Sequence, residues 1–87
     1  MDKDRIYQSI LEYIQNYLNP CIEAKNPQIY YKNFFSREMN LSPRDVVYLL
    51  AYLVKKYEFL FDKEIFETAD TFTIHGLGEY IYTIQHR

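Results

Sequence analysis

Residues 42–57 read SPRDVVYLLAYLVKKY, a helix start followed by an apolar helix. Ser42 is a favoured N-cap residue, and Pro43 suits the first helical position, where no backbone N–H is needed. Asp45 stands three residues after the cap, so its carboxylate can bond back to the cap backbone. Apolar residues then cover most of the circumference, and two lysines in the last turn suit the helix dipole. The pattern predicts a central helix over residues 43–57.

Two long helices are predicted on either side of this central helix. Apolar residues four, seven and eight positions apart predict an amphipathic helix over residues 3–18. Pro20 ends that helix, because the residue before a proline is pushed out of the helical region. Thr71 or Thr73 is expected to cap a last helix that runs through Gln85, with its apolar residues on one stripe.

The connections between these helices differ in length. Residues 19–41 form a long first connection, with aromatic pairs at 30–31 and 34–35. These four rings either pack over the helices and seal the core or remain exposed as anchors for a partner. Asp62 suits the N-cap of a short helix over 63–68. The order of long helix, long loop, central helix, short helix and long helix predicts an all-α four-helix bundle.

The length and charge of the chain limit the possible classes of protein. Its 87 residues are enough for one domain, residues 1–87, and its two glycines and three prolines favour helices over a many-stranded sheet. Ten basic and twelve acidic residues give a net charge of −2. That balance argues against nucleic-acid binding through a basic surface, and so against a helical DNA-binding domain.

The same composition predicts a cytoplasmic protein that does not enter a membrane. Cys21 is the only cysteine, so an internal disulfide is excluded and a reducing compartment fits. The longest apolar run, Val46 to Val54, is nine residues, about half of a membrane span. The charged first five residues do not resemble a signal peptide.

Two stretches read FSREMNLSPRDVV, residues 35–47, and TFTIHGLGEYI, residues 71–81. Both resemble segments of acyl and peptidyl carrier proteins. The first fits, without a gap, the carrier pattern of Phe, two spacers, an acidic residue, Leu, Gly, an apolar residue and Asp-Ser-Leu. The second resembles the opening of the carriers' last helix, and residues 65–69 resemble their short third helix. The resemblance implies the carrier fold, a four-helix bundle with a long first loop and a short third helix.

The chain departs from the carrier pattern at one chemically decisive position. A carrier's serine begins the central helix and receives phosphopantetheine on its hydroxyl. The ungapped register places Pro43 there, with Ser42 in place of the carriers' Asp and Arg44 in place of their Leu. Arg44, Lys55 and Lys56 also put positive charge along a helix that carriers keep acidic, which disfavours the carriers' usual partners.

This departure resembles the degenerate acyl carrier-related proteins found with bacterial peptide-maturation systems. The resemblance implies a non-catalytic accessory protein with no cofactor, which binds a modifying enzyme or a precursor peptide. The alternative is a functional acyl or peptidyl carrier that bears 4'-phosphopantetheine on Ser42 after a one-residue slip. The competing interpretation of Ser42 is a helix cap and nothing more.

Candidate partner-binding residues lie along the predicted central helix. Tyr48 stands where carriers often have a recognition Glu, and Arg44 precedes it by one turn. With Tyr52 and Lys55 they predict an interaction face for a protein partner. The competing interpretation is that both tyrosines pack at the rim of the core with their hydroxyls in water.

The remaining candidate residues form no catalytic or metal-binding pattern. His75 and His86 are eleven positions apart, with no acidic or cysteine partner at metal-ligand spacing. Cys21 has no neighbouring histidine or basic cluster to activate its thiol. Glu64 and Glu67 lie one turn apart and are expected on a solvated face. Because triads and glycine-rich phosphate loops are also missing from the sequence, we expect a protein that is not an enzyme and holds no metal.

Overall fold

The computed structural model describes residues 2–61 and 69–86 of the chain, and all regular secondary structure within them is helical. The predicted short helix over 63–68, with its cap at Asp62, lies outside the described residues. Within them we name three α-helices and three shorter segments: α1 (Lys3–Tyr13), a π-helix (Ile14–Leu18), a 3-10 helix (Pro27–Tyr31), α2 (Pro43–Tyr57), a second 3-10 helix (Ala69–Phe72) and α3 (Ile74–Gln85). The prediction of an all-α chain is confirmed at this level.

The first helix covers the predicted residues 3–18 but changes its winding. The Asp2 carboxylate caps α1 by accepting a hydrogen bond from the backbone N–H of Asp4 at 3.1 Å. The last turn widens into the π-helix, where the Asn19 N–H bonds to the Ile14 carbonyl five residues back at 2.7 Å. The Asn19 side chain then donates to the Met39 carbonyl at 2.8 Å, which anchors the long connection.

The central helix α2 has the predicted bounds and the predicted start. Ser42 Oγ accepts a hydrogen bond from the Asp45 N–H at 3.2 Å, and the Asp45 carboxylate accepts one from the Ser42 N–H at 2.9 Å. This reciprocal capping box satisfies two backbone donors. Pro43 occupies the first helical position. Glu58 adopts the left-handed conformation with φ 53° and ends the helix.

The last helix α3 uses one of its two predicted caps, Thr73, and ends at Gln85 as predicted. Thr73 Oγ1 accepts a hydrogen bond from the Gly76 N–H at 2.8 Å. The helix packs directly on α1, and the buried Gly78 lies under the Tyr7 ring. A Cβ atom at position 78 would collide with this ring, so only glycine permits the close approach.

The core is built from all three helices and from the long connection. Phe34 and Met39, both in residues 19–41, are fully buried. The Phe34 N–H donates to the Phe72 carbonyl at 2.7 Å, which ties the connection to the second 3-10 helix. The Phe34 carbonyl accepts a hydrogen bond from the Leu41 N–H at 3.0 Å within the connection itself. The connection is therefore part of the core. Other large side chains that are fully buried, among the residues described, are Ile6, Ile10, Ile14, Leu49, Leu53, Ile74, Leu77 and Ile81.

Candidate interaction face

The outer side of α2 is a continuous exposed strip. Helical residues three, four, seven and eleven positions apart share one side of a helix. The residues at those positions, all exposed, are Arg44, Val47, Tyr48, Ala51 and Lys55, and we call them the α2 outer face. Val47 is 62% and Tyr48 52% exposed, although the opposite side of the same helix supplies four buried residues to the core.

Two cations bound the apolar centre of the α2 outer face. Arg44 and Lys55 are eleven residues apart, which places them about 16 Å apart along the helix axis. Neither forms an ion pair with any residue that the structure describes. The nearby carboxylate of Asp45 accepts the hydrogen bond of the capping box instead. Positive charge thus stands at both ends of an exposed apolar surface.

Tyr52 lies beside this face rather than on it. Its half-buried ring stacks on Tyr13 of α1 at a centroid distance of 4.4 Å, and Tyr13 in turn contacts Tyr17 at 5.0 Å. Lys56 Nζ donates a hydrogen bond to the Tyr52 hydroxyl at 3.2 Å, and this bond raises the pKa of the Lys56 ammonium. Of the four predicted partner-binding residues, the structure therefore groups Arg44, Tyr48 and Lys55 and joins Tyr52 to α1.

The start of α2 holds the two residues on which the carrier alternative depends. Pro43 and Ser42 are both exposed. Ser42 Oγ, the atom that would bear phosphopantetheine, is the acceptor of the helix cap. A capping serine of this kind stabilises a helix by about 1 kcal/mol relative to alanine.

The aromatic residues of the long connection divide between core and surface. Phe34 is fully buried, as the sealing interpretation expects. Tyr31 is 65% and Phe35 47% exposed, as the anchor interpretation expects. Their rings nevertheless contact α3 and the segment before it, Tyr31 on His75 at 4.8 Å and Phe35 on Phe72 at 5.4 Å. The sealing interpretation is therefore confirmed for Phe34, and the anchor role of the exposed rings stays a prediction.

A second polar site, which the sequence analysis did not predict, joins α1 to α3. Glu79 accepts a hydrogen bond from the Tyr7 hydroxyl at 2.7 Å and forms an ion pair with Lys3 at 3.1 Å. His75 Nε2 lies 3.6 Å from the same carboxylate. We call Lys3, Tyr7, His75 and Glu79 the Glu79 cluster. A groove of about 560 Å³ lies beside it, between Tyr31 and α3.

The contacts in the Glu79 cluster shift the protonation of two of its members. Burial raises the pKa of the Tyr7 phenol, and the hydrogen bond to Glu79 adds to the effect. The same hydrogen bond lowers the pKa of the Glu79 carboxyl, with a further contribution from Lys3. Both shifts favour a neutral phenol that donates to an ionised carboxylate. The polar groups of the cluster therefore bind one another within the protein.

The remaining candidate residues are Cys21, His86, Glu64 and Glu67. Cys21 is exposed and free, and His86 contacts the Tyr82 ring at 4.1 Å. Glu64 and Glu67 lie outside the described residues. Among the residues described, no group of three histidine, cysteine or acidic side chains is placed to hold a metal ion. No helix in this part of the chain is long and apolar enough to cross a membrane.

Comparison with known proteins adds no relative to this description. No protein-family model, curated protein or solved structure matches the chain. A function can therefore be inferred only from the residues of this chain and from the geometry of the α2 outer face.

Proposed function

We propose that this protein is a carrier-related accessory protein that bears no prosthetic group and binds another protein through the α2 outer face. In this proposal the fold is the acyl-carrier four-helix bundle, with its long first loop and short third helix. The setting is cytoplasmic peptide maturation, and the partner is a modifying enzyme or a precursor peptide. The exposed apolar centre of the α2 outer face is the observation that carries the proposal.

The chemistry at the start of α2 supports the loss of the carrier function. Pro43 occupies the first helical position of α2 and has no hydroxyl to esterify. The carrier resemblance places the modified serine at this position. The neighbouring Ser42 hydroxyl serves the capping box, and esterification would replace that hydroxyl with a bulky phosphodiester. Without a prosthetic group, the remaining role of the fold in this proposal is to present a surface that binds a partner.

The exposure of Val47 and Tyr48 supports a binding role. Both side chains lie in water next to a core that buries every third or fourth residue of the same helix. Covering apolar surface on a partner contributes about 25 cal/mol for each Å² removed from water. Tyrosine is also one of the residues most often found at the energetic centre of interfaces.

The decisive experiment is the intact mass of the protein after incubation with coenzyme A and a promiscuous phosphopantetheinyl transferase. We expect no adduct, while an authentic carrier protein in a parallel reaction is modified to completion. A phosphopantetheine adduct on the wild-type protein would contradict the proposal and establish the carrier alternative.

Two variants make that assay specific to the start of α2. If the wild-type protein is modified, Ser42→Ala removes the adduct only when Ser42 is its site. Pro43→Ser restores a hydroxyl at the carrier position and tests whether the enzyme can engage this helix. Since Ser42→Ala removes the cap and about 1 kcal/mol of stability, circular dichroism must first show that the variant is folded.

A further inference from the structure

On the basis of this proposed function, we infer that the partner segment on the α2 outer face is an amphipathic helix with a carboxylate at each end of its apolar stripe. The geometry points to Val47, Tyr48 and Ala51 as the apolar contact and to Arg44 and Lys55 as the charged ends. The partner is thus defined by its chemistry, an acidic–apolar–acidic helix of another protein.

The backbone of α2 requires a partner that satisfies its own hydrogen bonds. Between its capped ends, α2 pairs its N–H and C=O groups within the helix, so this side offers no edge to which an extended peptide could add as a strand. A helix meets this requirement, since its backbone bonds are internal. Ala51, the smallest residue of the strip, leaves room for a second helix to approach at the usual interaxial distance of about 8–10 Å.

The spacing of the cations sets the spacing of the partner's carboxylates. Positions eleven residues apart on an α-helix fall on nearly the same side, about 16 Å apart. A helix that lies along α2 with acidic residues at i and i+11 therefore places one carboxylate near Arg44 and the other near Lys55. Such complementarity contributes mainly to specificity and to the association rate.

The same charges argue against a second copy of this chain as the occupant. If two α2 helices paired antiparallel about a twofold axis, Arg44 would face Lys55 of the other copy. A parallel twofold pair would place each cation opposite its own equivalent. Both arrangements bring like charges together without a compensating carboxylate among the described residues of the strip.

A nucleic acid fits the strip less well than an acidic helix. One strand places a phosphate about every 3.4 Å. The α2 outer face has cations only at its two ends, with Val47 and Ala51 between them. A phosphate backbone laid along it would therefore meet apolar side chains over most of its length.

The test uses the full chain and two synthetic helical peptides of about 18 residues, which is about 27 Å of helix. Both peptides carry the same leucine and alanine stripe. One has glutamates eleven positions apart at the ends of the stripe, and the other has lysines there. Binding is followed in low salt by backbone amide NMR shifts of the labelled protein.

We expect the glutamate peptide to bind the wild-type protein about tenfold more tightly than the lysine peptide, with shifts centred on α2. Arg44→Glu combined with Lys55→Glu should reverse this preference. Lys25→Glu combined with Arg37→Glu is the matched control, because it reverses two other exposed cations and changes the net charge equally. This control should keep the wild-type preference, and Ala51→Arg should weaken both peptides.

The inference is overturned if neither peptide binds, if both bind equally, or if the shifts fall outside α2. It is also overturned if the two double variants behave alike, because the preference would then reflect net charge alone. These outcomes are distinct from a failure of the proposed function, which is shown by a phosphopantetheine adduct in the mass assay whatever the peptides do.

Discussion

The Glu79 cluster and the α2 outer face each contain a tyrosine and cationic side chains. These groups are paired with a carboxylate in the cluster and exposed to solvent on the face. In the cluster, one carboxylate takes contacts from a phenol, an ammonium and an imidazole, all within the molecule. On the α2 outer face, Arg44, Tyr48 and Lys55 point to solvent, and the two cations form no ion pair with a described residue. Paired groups hold α1 against α3, while exposed groups are available to a partner. Substitutions in the first region should change stability, and those in the second should change binding.

The largest effect is expected from Gly78→Ala, which adds a methyl group between α3 and the Tyr7 ring of α1. The new Cβ would collide with the Tyr7 ring, so the helices must separate or the ring must move away from Glu79. Overpacking of this kind costs about 1–3 kcal/mol, which exceeds the gain of about 1 kcal/mol in helix propensity. Urea unfolding followed by circular dichroism measures the change.

Two controls show whether the Tyr7 ring is the cause. Thr83→Ala, on an exposed position of α3, should leave the free energy of unfolding within about 0.5 kcal/mol of wild type. The added cost of Gly78→Ala should shrink in a Tyr7→Ala background, where the ring is missing. Equal costs in the two backgrounds would contradict the contact.

A smaller effect is expected from Tyr7→Phe, which keeps the ring and removes the hydroxyl. Glu79 then loses its shortest hydrogen bond but keeps Lys3. Because the Glu79 side chain is 37% exposed, water compensates in part, and we expect a loss of about 1 kcal/mol in the free energy of unfolding. A variant as stable as wild type would show that the hydrogen bond contributes nothing.

The pH dependence of stability should identify the same pair of groups. The folded pKa of Glu79 lies below its ordinary 4.5, so its contribution is present above that pH and is lost as the pH falls. The folded pKa of Tyr7 lies above its ordinary 10.0, so its contribution is present below that pH and is lost as the pH rises. In the Tyr7→Phe variant, the free energy of unfolding should fall less steeply above pH 10.0 and less steeply below pH 4.5 than in the wild type. Tyr48→Phe is the matched control, because it makes the same substitution at an exposed tyrosine outside the Glu79 cluster.

The smallest effect on stability is expected from Tyr48→Ala. Its side chain is half exposed, so the free energy of unfolding should change by less than about 0.5 kcal/mol. Tyr52→Ala, one turn later, should cost about 1 kcal/mol because the stacked Tyr13 ring loses its neighbour. The affinity for the glutamate peptide should fall more in Tyr48→Ala than in Tyr52→Ala, which is the reverse of the order expected for stability. Equal effects of the two variants would remove the distinction between the α2 outer face and the tyrosine row beside it.

The helix boundaries could be predicted because their signals are local. The capping box at Ser42, the proline at 43 and the apolar spacing before Pro20 each act within a few residues of the feature that they determine. The predicted helices over 3–18 and 43–57 and the end at Gln85 were confirmed for this reason. The partner-binding role of the four residues on α2 stays a prediction.

The polar sites could not be predicted because their partners are distant in sequence. Tyr7 and Glu79 are 72 positions apart, and nothing near either residue indicates the other. Tyr52 lies about 40° farther round α2 than Tyr48, toward the buried side of the helix. The ring that stacks on Tyr52 is Tyr13 of α1, and nothing in the pattern of α2 indicates that partner. The division of the aromatic connection into a buried Phe34 and an exposed Tyr31 likewise depends on tertiary packing.

The π-helix at Ile14–Leu18 is where α1 accommodates one residue more than an α-helix with the same end points would hold. Deleting one residue there would restore α-helical winding and leave the inward positions of Ile6 and Ile10 unchanged. It would also displace Asn19, whose side chain holds Met39. Homologous chains can therefore differ in length by one residue at this turn, and an alignment that forces residues 14–18 to match without a gap would misplace their inward and outward positions.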